Sequence, residues 1–217
     1  MKKSLLLFIL ICFSTLIIAQ SGSIYSIYFK VDPELTDYFK AENNSRVFFS
    51  GWSESEAMPQ QLSDSIALKA IEHFAAQLEM PVECCYRQDK NGKNMGTIGV
   101  FGVLDGMPAN TFKQGKEECS SSTRFISLSV QIYSSGGSSV TMVDKRSKLR
   151  PRLQISAKVY DENKVEVMNK KVVLKDFEKL RSITKYYGNV EATSAAVLNP
   201  HDIYAMYLMG LEKLMNE

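Results

Sequence analysis

Three cysteines, the adjacent pair Cys84 and Cys85 and the more distant Cys119, offer the widest choice of chemistry in this chain. A cysteine can bind a metal, act as a nucleophile, exchange electrons or form a disulfide. A zinc site needs four ligands at spacings such as C-x2-C, and adjacent cysteines cannot easily direct both sulfurs to one ion. The pattern therefore favours a disulfide between Cys119 and one of Cys84 or Cys85. The sequence leaves both pairings open, with the third cysteine either free or paired between chains.

The two histidines do not supply the missing ligands or an evident catalytic base. His73 and His201 lie in separate predicted helices without paired spacing, so we predict no metal site and no cofactor. His73 precedes the cysteine pair across Pro81, and closeness along the chain does not establish a Cys–His nucleophile. His201 and Asp202 fit the first turn of a helix, where an acidic side chain favours the helix dipole.

A basic segment lies in the second half of the chain. It contains five cations within eight positions: Lys145, Arg146, Lys148, Arg150 and Arg152. On one surface these side chains could bind phosphate, an anionic glycan or lipid headgroups. The simpler interpretation is a solvated hairpin arm. No aromatic residue is interleaved with the cations, which argues against stacking on nucleic-acid bases.

The compartment is indicated by the first twenty residues, MKKSLLLFILICFSTLIIAQ. Two lysines, an apolar run of about fourteen residues and Ala19 before Gln20 are typical of a secretory signal peptide. The run is shorter than the roughly 20 residues that span a bilayer. We therefore predict a signal peptide over 1–20 and one α+β domain over 21–217. The mature protein would have no permanent membrane span and would be periplasmic or at the cell surface, where disulfides persist.

Removal of the leader leaves an electrically balanced chain. It deletes Lys2 and Lys3 and no acidic residue, so 24 basic and 24 acidic residues remain. Without a global basic field the protein is not drawn to nucleic acid, so we predict no nucleic-acid partner.

Two kinds of apolar spacing predict the elements. Steps of three and four residues predict one helix between Pro59 and Pro81 and another that begins at Asn199 and Pro200. Period-two alternation and β-branched composition predict strands over 24–31, 46–52, 82–87, 97–104, 123–133, 153–160 and 165–173. Residues 105–122 are predicted as loop and 176–187 as a short helix. The result is an α+β fold: a mostly antiparallel sheet of about six or seven strands, packed against an early and a C-terminal helix.

Two resemblances accompany this pattern. A leader that ends in Ala-Gln resembles those of exported proteins of Bacteroidota. The order of strand, helix, strands and closing helix over 46–215, with ISAKVYDENKVEV as central hairpin, resembles the small α/β domains of periplasmic assembly factors. Examples are the curli-secretion lipoprotein and the amino-terminal domain of TolB. The chain departs from the curli-secretion lipoprotein because bulky Ile11 precedes Cys12, where a lipobox has a small residue.

These features lead to three hypotheses about function. The first is a non-catalytic exported protein that acts through contacts with envelope partners. The second is a small-ligand or glycan binder that uses the polar face of the sheet and the aromatic residues Trp52, Tyr133 and Tyr160. The third is a hydrolase with an unrecognised site. The chain has no G-x-S-x-G elbow, H-E-x-x-H pair, P-loop or dinucleotide motif, so we lean against an enzyme.

Overall fold

The computed structural model describes residues 20–32, 35–36, 58–92, 94–95, 106–140, 144–187, 190–195 and 197–216. Within these ranges only the backbone is described for 58–60, 95, 137–140, 144–148 and 181–196. The predicted strands 46–52 and 97–104, Trp52 and nearly all of the predicted leader lie outside the described residues.

The main sheet has five strands in the order β2-β1-β5-β8-β9. They are β1 Gly22–Val31, β2 Val82–Cys84, β5 Arg124–Ser134, β8 Pro151–Asp161 and β9 Glu166–Leu174. Strand β1 runs parallel to both of its neighbours, whereas the β5-β8 and β8-β9 pairs are antiparallel. The predicted α+β class is confirmed. Among the described residues the main sheet has five strands where six or seven were predicted, and it is mixed.

A second sheet continues the main one. Its order is β11-β10-β7-β6, with β6 Gly137–Val140, β7 Asp144–Leu149, β10 Leu180–Tyr187 and β11 Val190–Ala195. Two residues separate β5 from β6 and Arg150 alone separates β7 from β8, so one long hairpin contributes to both sheets. The Ser135 N–H donates to the Arg150 carbonyl at 3.1 Å across this junction. A short pair, β3 Arg87–Gln88 and β4 Asn94–Met95, is separate.

Two segments differ from their predictions. Residues 180–187, expected to be helical, form β10, because pairing with β7 and β11 outweighs a weak helical pattern. The stretch 105–122, expected to be loop, contains the helix α2 Phe112–Glu118. A capping box begins α2: the Gln114 N–H donates to the Thr111 hydroxyl, and the Thr111 N–H donates to the Gln114 side chain.

The two long helices, α1 Met58–Leu78 and α3 Pro200–Asn216, cover one face of the main sheet. Asn199 and Asp202 exchange hydrogen bonds of 2.9 Å at the start of α3, as the predicted cap requires. The Lys170 ammonium on β9 donates to the Leu214 carbonyl at the other end of α3.

The hydrophobic core lies between this helix layer and the sheet. Alternate strand residues point into it, among them Phe29, Leu128, Val130, Leu153 and Ile155, all fully buried. The Tyr207 ring meets Phe29 edge-on at a centroid distance of 5.8 Å, and its hydroxyl donates to the Ile66 carbonyl at 3.0 Å. Gly210 lets α3 approach β8 closely, since a Cβ there would lie 2.5 Å from Leu153 Cδ2.

Candidate functional site

The other face of the main sheet is polar, and we call it the open face. Side chains of a strand alternate between the two faces of a sheet. Every second residue of β1, β5 and β8 is buried on the helix side, so the residues that alternate with them lie on the open face. Pairing among β1, β5 and β8 arranges them in rows that run across the strands. The rows are Tyr28–Ser129–Ser156, Lys30–Gln131–Gln154 and, at the end of β1, Tyr133–Arg152. Most of these side chains are half-buried, so they reach solvent.

Helix α2 covers one end of the open face. A β-bulge between Ile24 and Ser26 coincides with the placement of Tyr25 in a separate aromatic cluster with Phe125, Phe112 and Tyr160. The Phe112 ring meets Phe125 and Tyr160 edge-on, at centroid distances of 5.3 and 5.8 Å. Gly115 allows the helix to lie directly on Tyr25, because a Cβ at this position would be 2.5 Å from Tyr25 Cβ.

The disulfide joins Cys85 to Cys119 and holds α2 in this place, with a Cα–Cα distance of 6.1 Å. Cys84 and Cys85 point in opposite directions, as consecutive residues of an extended chain do. Cys85 enters the aromatic cluster, and Cys84 packs against the core on the helix side. Cys84 is a free thiol, and burial raises its pKa to about 11. The alternation thus decides between the two pairings that the sequence left open, and Cys84 is the inert member of the pair.

A cavity of about 220 Å³ lies on the open face, at its other end. Its lining comprises Lys30, Asp32, Gln131, Ile132 and Tyr133. The chain after β1 is fixed here by two contacts. The Asp32 N–H donates to the Ile132 carbonyl at 2.8 Å, and the Ser134 N–H donates to the Asp32 carboxylate at 3.3 Å.

Two cations beside this cavity have no acidic partner among the described residues. Lys30 lines the cavity, and Arg152 lies directly across from Tyr133 on β8. Both side chains are half-buried. Farther along the same face, Lys158 pairs with Glu166 at 3.6 Å. The arrangement therefore combines positive charge with amide, hydroxyl and aromatic groups.

The predicted basic segment is divided between the two sheets. Lys145, Arg146 and Lys148 lie in β7, paired through their backbones with β6 and β10, and their side chains are outside the description. Arg150 is exposed at the junction, and Arg152 belongs to the open face. Anion binding by the segment as a whole stays a prediction.

Neither histidine lines the cavity. His73 is buried beside Phe74 in α1, and its Nε2 has no hydrogen-bond partner in the described part of the chain. Burial, with a smaller contribution from the Lys170 charge, lowers the pKa of His73. His201 is exposed in the first turn of α3. The described residues contain no cluster of three or more His, Cys, Asp or Glu side chains that could hold a metal ion.

The three aromatic residues predicted to bind a ligand lie in different places. Tyr133 lines the cavity, and Tyr160 packs against Phe112 in the aromatic cluster under α2. Trp52 is outside the described residues. Tyr28 and Lys30 were not predicted as binding residues, whereas Gln131 belongs to the polar strand face that was proposed as a binding surface. Their signal was present as the polar positions of the alternating strands, but the register that brings them together is not local.

No helix in the described part of the chain has the length and apolar character needed to span a bilayer. No known family model matches the chain, and no curated protein sequence is similar to it. One matching solved structure is a Helicobacter pylori protein described as a homolog of neuraminyllactose-binding hemagglutinin. It is 6% identical, the alignment covers 91% of this chain and 82% of that chain, and the TM-score is 0.36. A likeness at this level supports no statement about the function of this protein.

Proposed function

We propose that this is an exported, non-catalytic protein that acts by binding an envelope partner, and that the partner is a glycan held on the open face of the main sheet. The proposal depends above all on one observation, the cavity at the ends of β1 and β5 on the open face, with its polar rows of side chains. Export is supported by the predicted leader and by the Cys85–Cys119 disulfide, which suits an oxidising compartment.

The chemistry of the open face suits sugar rings. Gln131 and Gln154 each carry an amide that can both donate and accept, and Ser129 and Ser156 add hydroxyls. Tyr28, 38% exposed, and Tyr133 add flat apolar surfaces with a polar tip. A lipid chain would instead need an apolar channel, whereas these rows are polar.

The direct test is calorimetric titration of the disulfide-intact protein with a panel of envelope oligosaccharides. We expect at least one glycan to bind and to stabilise the fold, by roughly 2.7 kcal/mol at a hundred times its Kd. Tyr133→Ala should abolish binding. Met209→Ala, a control at an exposed position of α3 on the helix-covered side, should not change it. Equal effects of the two substitutions, or no binding across the panel, would count against the open face as a glycan site.

Export is tested separately. Cell fractionation should recover the protein from the envelope or the medium, with an amino terminus near Gln20 and with Cys85 and Cys119 oxidised. An uncleaved chain in the cytoplasm with all of its thiols reduced would contradict export, and would leave the binding proposal to its own test.

A further inference from the structure

We infer that the ligand of the open face is a saccharide bearing a carboxylate, with the acid group held by Lys30 and Arg152. This inference rests on the proposed function and names the chemical class of its ligand. It starts from the two cations beside the cavity, neither of which forms a salt bridge with a described acidic residue. A lysine and an arginine that form no salt bridge with a described acidic residue can bind an external anion through charge-assisted hydrogen bonds.

The positions of the two cations match a ring-sized ligand. Lys30 and Arg152 lie on β1 and β8, the two neighbours of β5. Because neighbouring strands are about 4.8 Å apart, the two backbones are roughly 10 Å apart across β5. Both side chains are long enough to extend over that strand, where Gln131 and Tyr133 provide the floor. A sugar placed there can present its hydroxyls to the amide row and its carboxylate to a cation.

Asp32 makes the site selective among anions. Its carboxylate lies in the same cavity and accepts a hydrogen bond from the Ser134 N–H. A negative group at this position repels a second negative charge on the ligand. The site therefore favours a ligand with one carboxylate beside several hydroxyls over a polyanion such as a sulfated chain.

The experiment compares acid and ester forms of the same sugars. Calorimetric titrations at low ionic strength would use oligosaccharides of galacturonic and glucuronic acid, their methyl esters and a heparin fragment. We expect each acid that binds to do so about tenfold more tightly than its ester, since charge-assisted hydrogen bonds are roughly twice as strong as neutral ones. Added salt should weaken binding of the acid and leave binding of the ester unchanged.

Three variants assign the effect to residues. Lys30→Gln and Arg152→Gln should each reduce the preference for acid over ester while keeping the affinity for the ester. Lys213→Gln is the matched control, because it removes the same charge from an exposed position of α3, on the helix-covered side. Asp32→Asn should improve binding of the heparin fragment.

The outcomes separate the two proposals. If esters and acids bind equally, or if Lys213→Gln acts like the other two charge variants, the carboxylate inference fails and glycan binding stands. Preference for the heparin fragment in the unaltered protein would also overturn the inference. If no saccharide binds in any form, both proposals fail.

Discussion

The two faces of the main sheet are covered in different ways. The helix-covered face buries a continuous apolar core, and α1 and α3 are held by many side chains. The open face is covered at one end by α2, a helix of seven residues that depends on a small aromatic cluster, a close glycine contact and a disulfide. The stabilisation from burying apolar side chains increases with the area buried, so the helix-covered face is stabilised by its core alone. The small α2 region buries less area and is stabilised further by the disulfide. No other helix among the described residues covers the remainder of the open face.

Two tyrosines, one on each face, should show the largest difference. Tyr207→Ala should destabilise the protein by about 3–5 kcal/mol, because it leaves a cavity in the core. Tyr133→Ala should cost less than about 1 kcal/mol, since Tyr133 lines a solvent-accessible cavity. Urea unfolding of the disulfide-intact variants measures both changes. If the two substitutions lowered the free energy of unfolding by similar amounts, the core and the open face would contribute equally to stability, which would contradict the proposed difference between them.

Loss of the disulfide should come next and should be localised. Replacing Cys85 and Cys119 together by alanine opens a loop with a sequence separation of 34 residues. The chain-entropy argument puts the cost at about 3–4 kcal/mol. Hydrogen exchange should increase mainly in α2 and around Tyr25, with α3 affected far less.

Cys84→Ala is the control for the cysteine pair, because it alters the neighbouring thiol and leaves the disulfide intact. It should leave exchange in α2 unchanged. An increase spread evenly over α2 and α3 in the disulfide variant would show that the covalent link supports the whole fold instead of one helix.

Two glycines give a smaller, matched test of the helix contacts on the two faces. Gly115→Ala and Gly210→Ala each place a methyl group 2.5 Å from a neighbour, Tyr25 Cβ in the first case and Leu153 Cδ2 in the second. Both gain about 1 kcal/mol of helix propensity. Tyr25 Cβ is fixed to its backbone, whereas Leu153 Cδ2 is the end of a side chain that can rotate. Gly115→Ala should therefore be more destabilising, by about 1–3 kcal/mol in urea unfolding. If Gly210→Ala were the more destabilising of the two, this would contradict the close contact between α2 and Tyr25.

The helix-covered side could be predicted from sequence better than the open face. The periodicity of α1 and α3 and the alternation of β5, β8 and β9 are local signals, and each of these elements is confirmed. Helix α2 was missed although its capping box at Thr111 and Gln114 is a local signal, because the contacts that hold it, with Tyr25 and through the disulfide, are distant along the chain. The β10 segment was misassigned for a related reason: its pairing with β7 is non-local.

In the candidate site, too, some residues could be predicted from local sequence and others depend on non-local pairing. Tyr133 and Arg152 could be proposed from sequence, one as an aromatic residue on a polar strand face and the other as part of a basic segment. Lys30 could not, because its place beside Gln131 requires the parallel register of β1 and β5. The choice of Cys85 over Cys84 also depends on which side of the sheet each residue faces.

The smallest predicted effect concerns pH and belongs to the helix-covered side. Burial and the Lys170 charge lower the pKa of His73 in the folded protein, while the unfolded chain has the ordinary value of about 6.5. Between these two values the unfolded state binds more protons, so stability should fall as pH drops below about 6.5 and level off below the lowered pKa. The slope due to one group is at most about 1.4 kcal/mol per pH unit.

His73→Phe should remove this part of the pH dependence, measured as the change in urea-unfolding free energy between pH 7.5 and pH 5. His201→Ala should keep it, since His201 is exposed at the start of α3. The carboxylates contribute equally in all three proteins, so the difference between them isolates the histidine. Because His73 is in the helix layer, glycan binding on the open face should not change its titration. A ligand that shifts the pKa of His73 would show that the two faces are coupled.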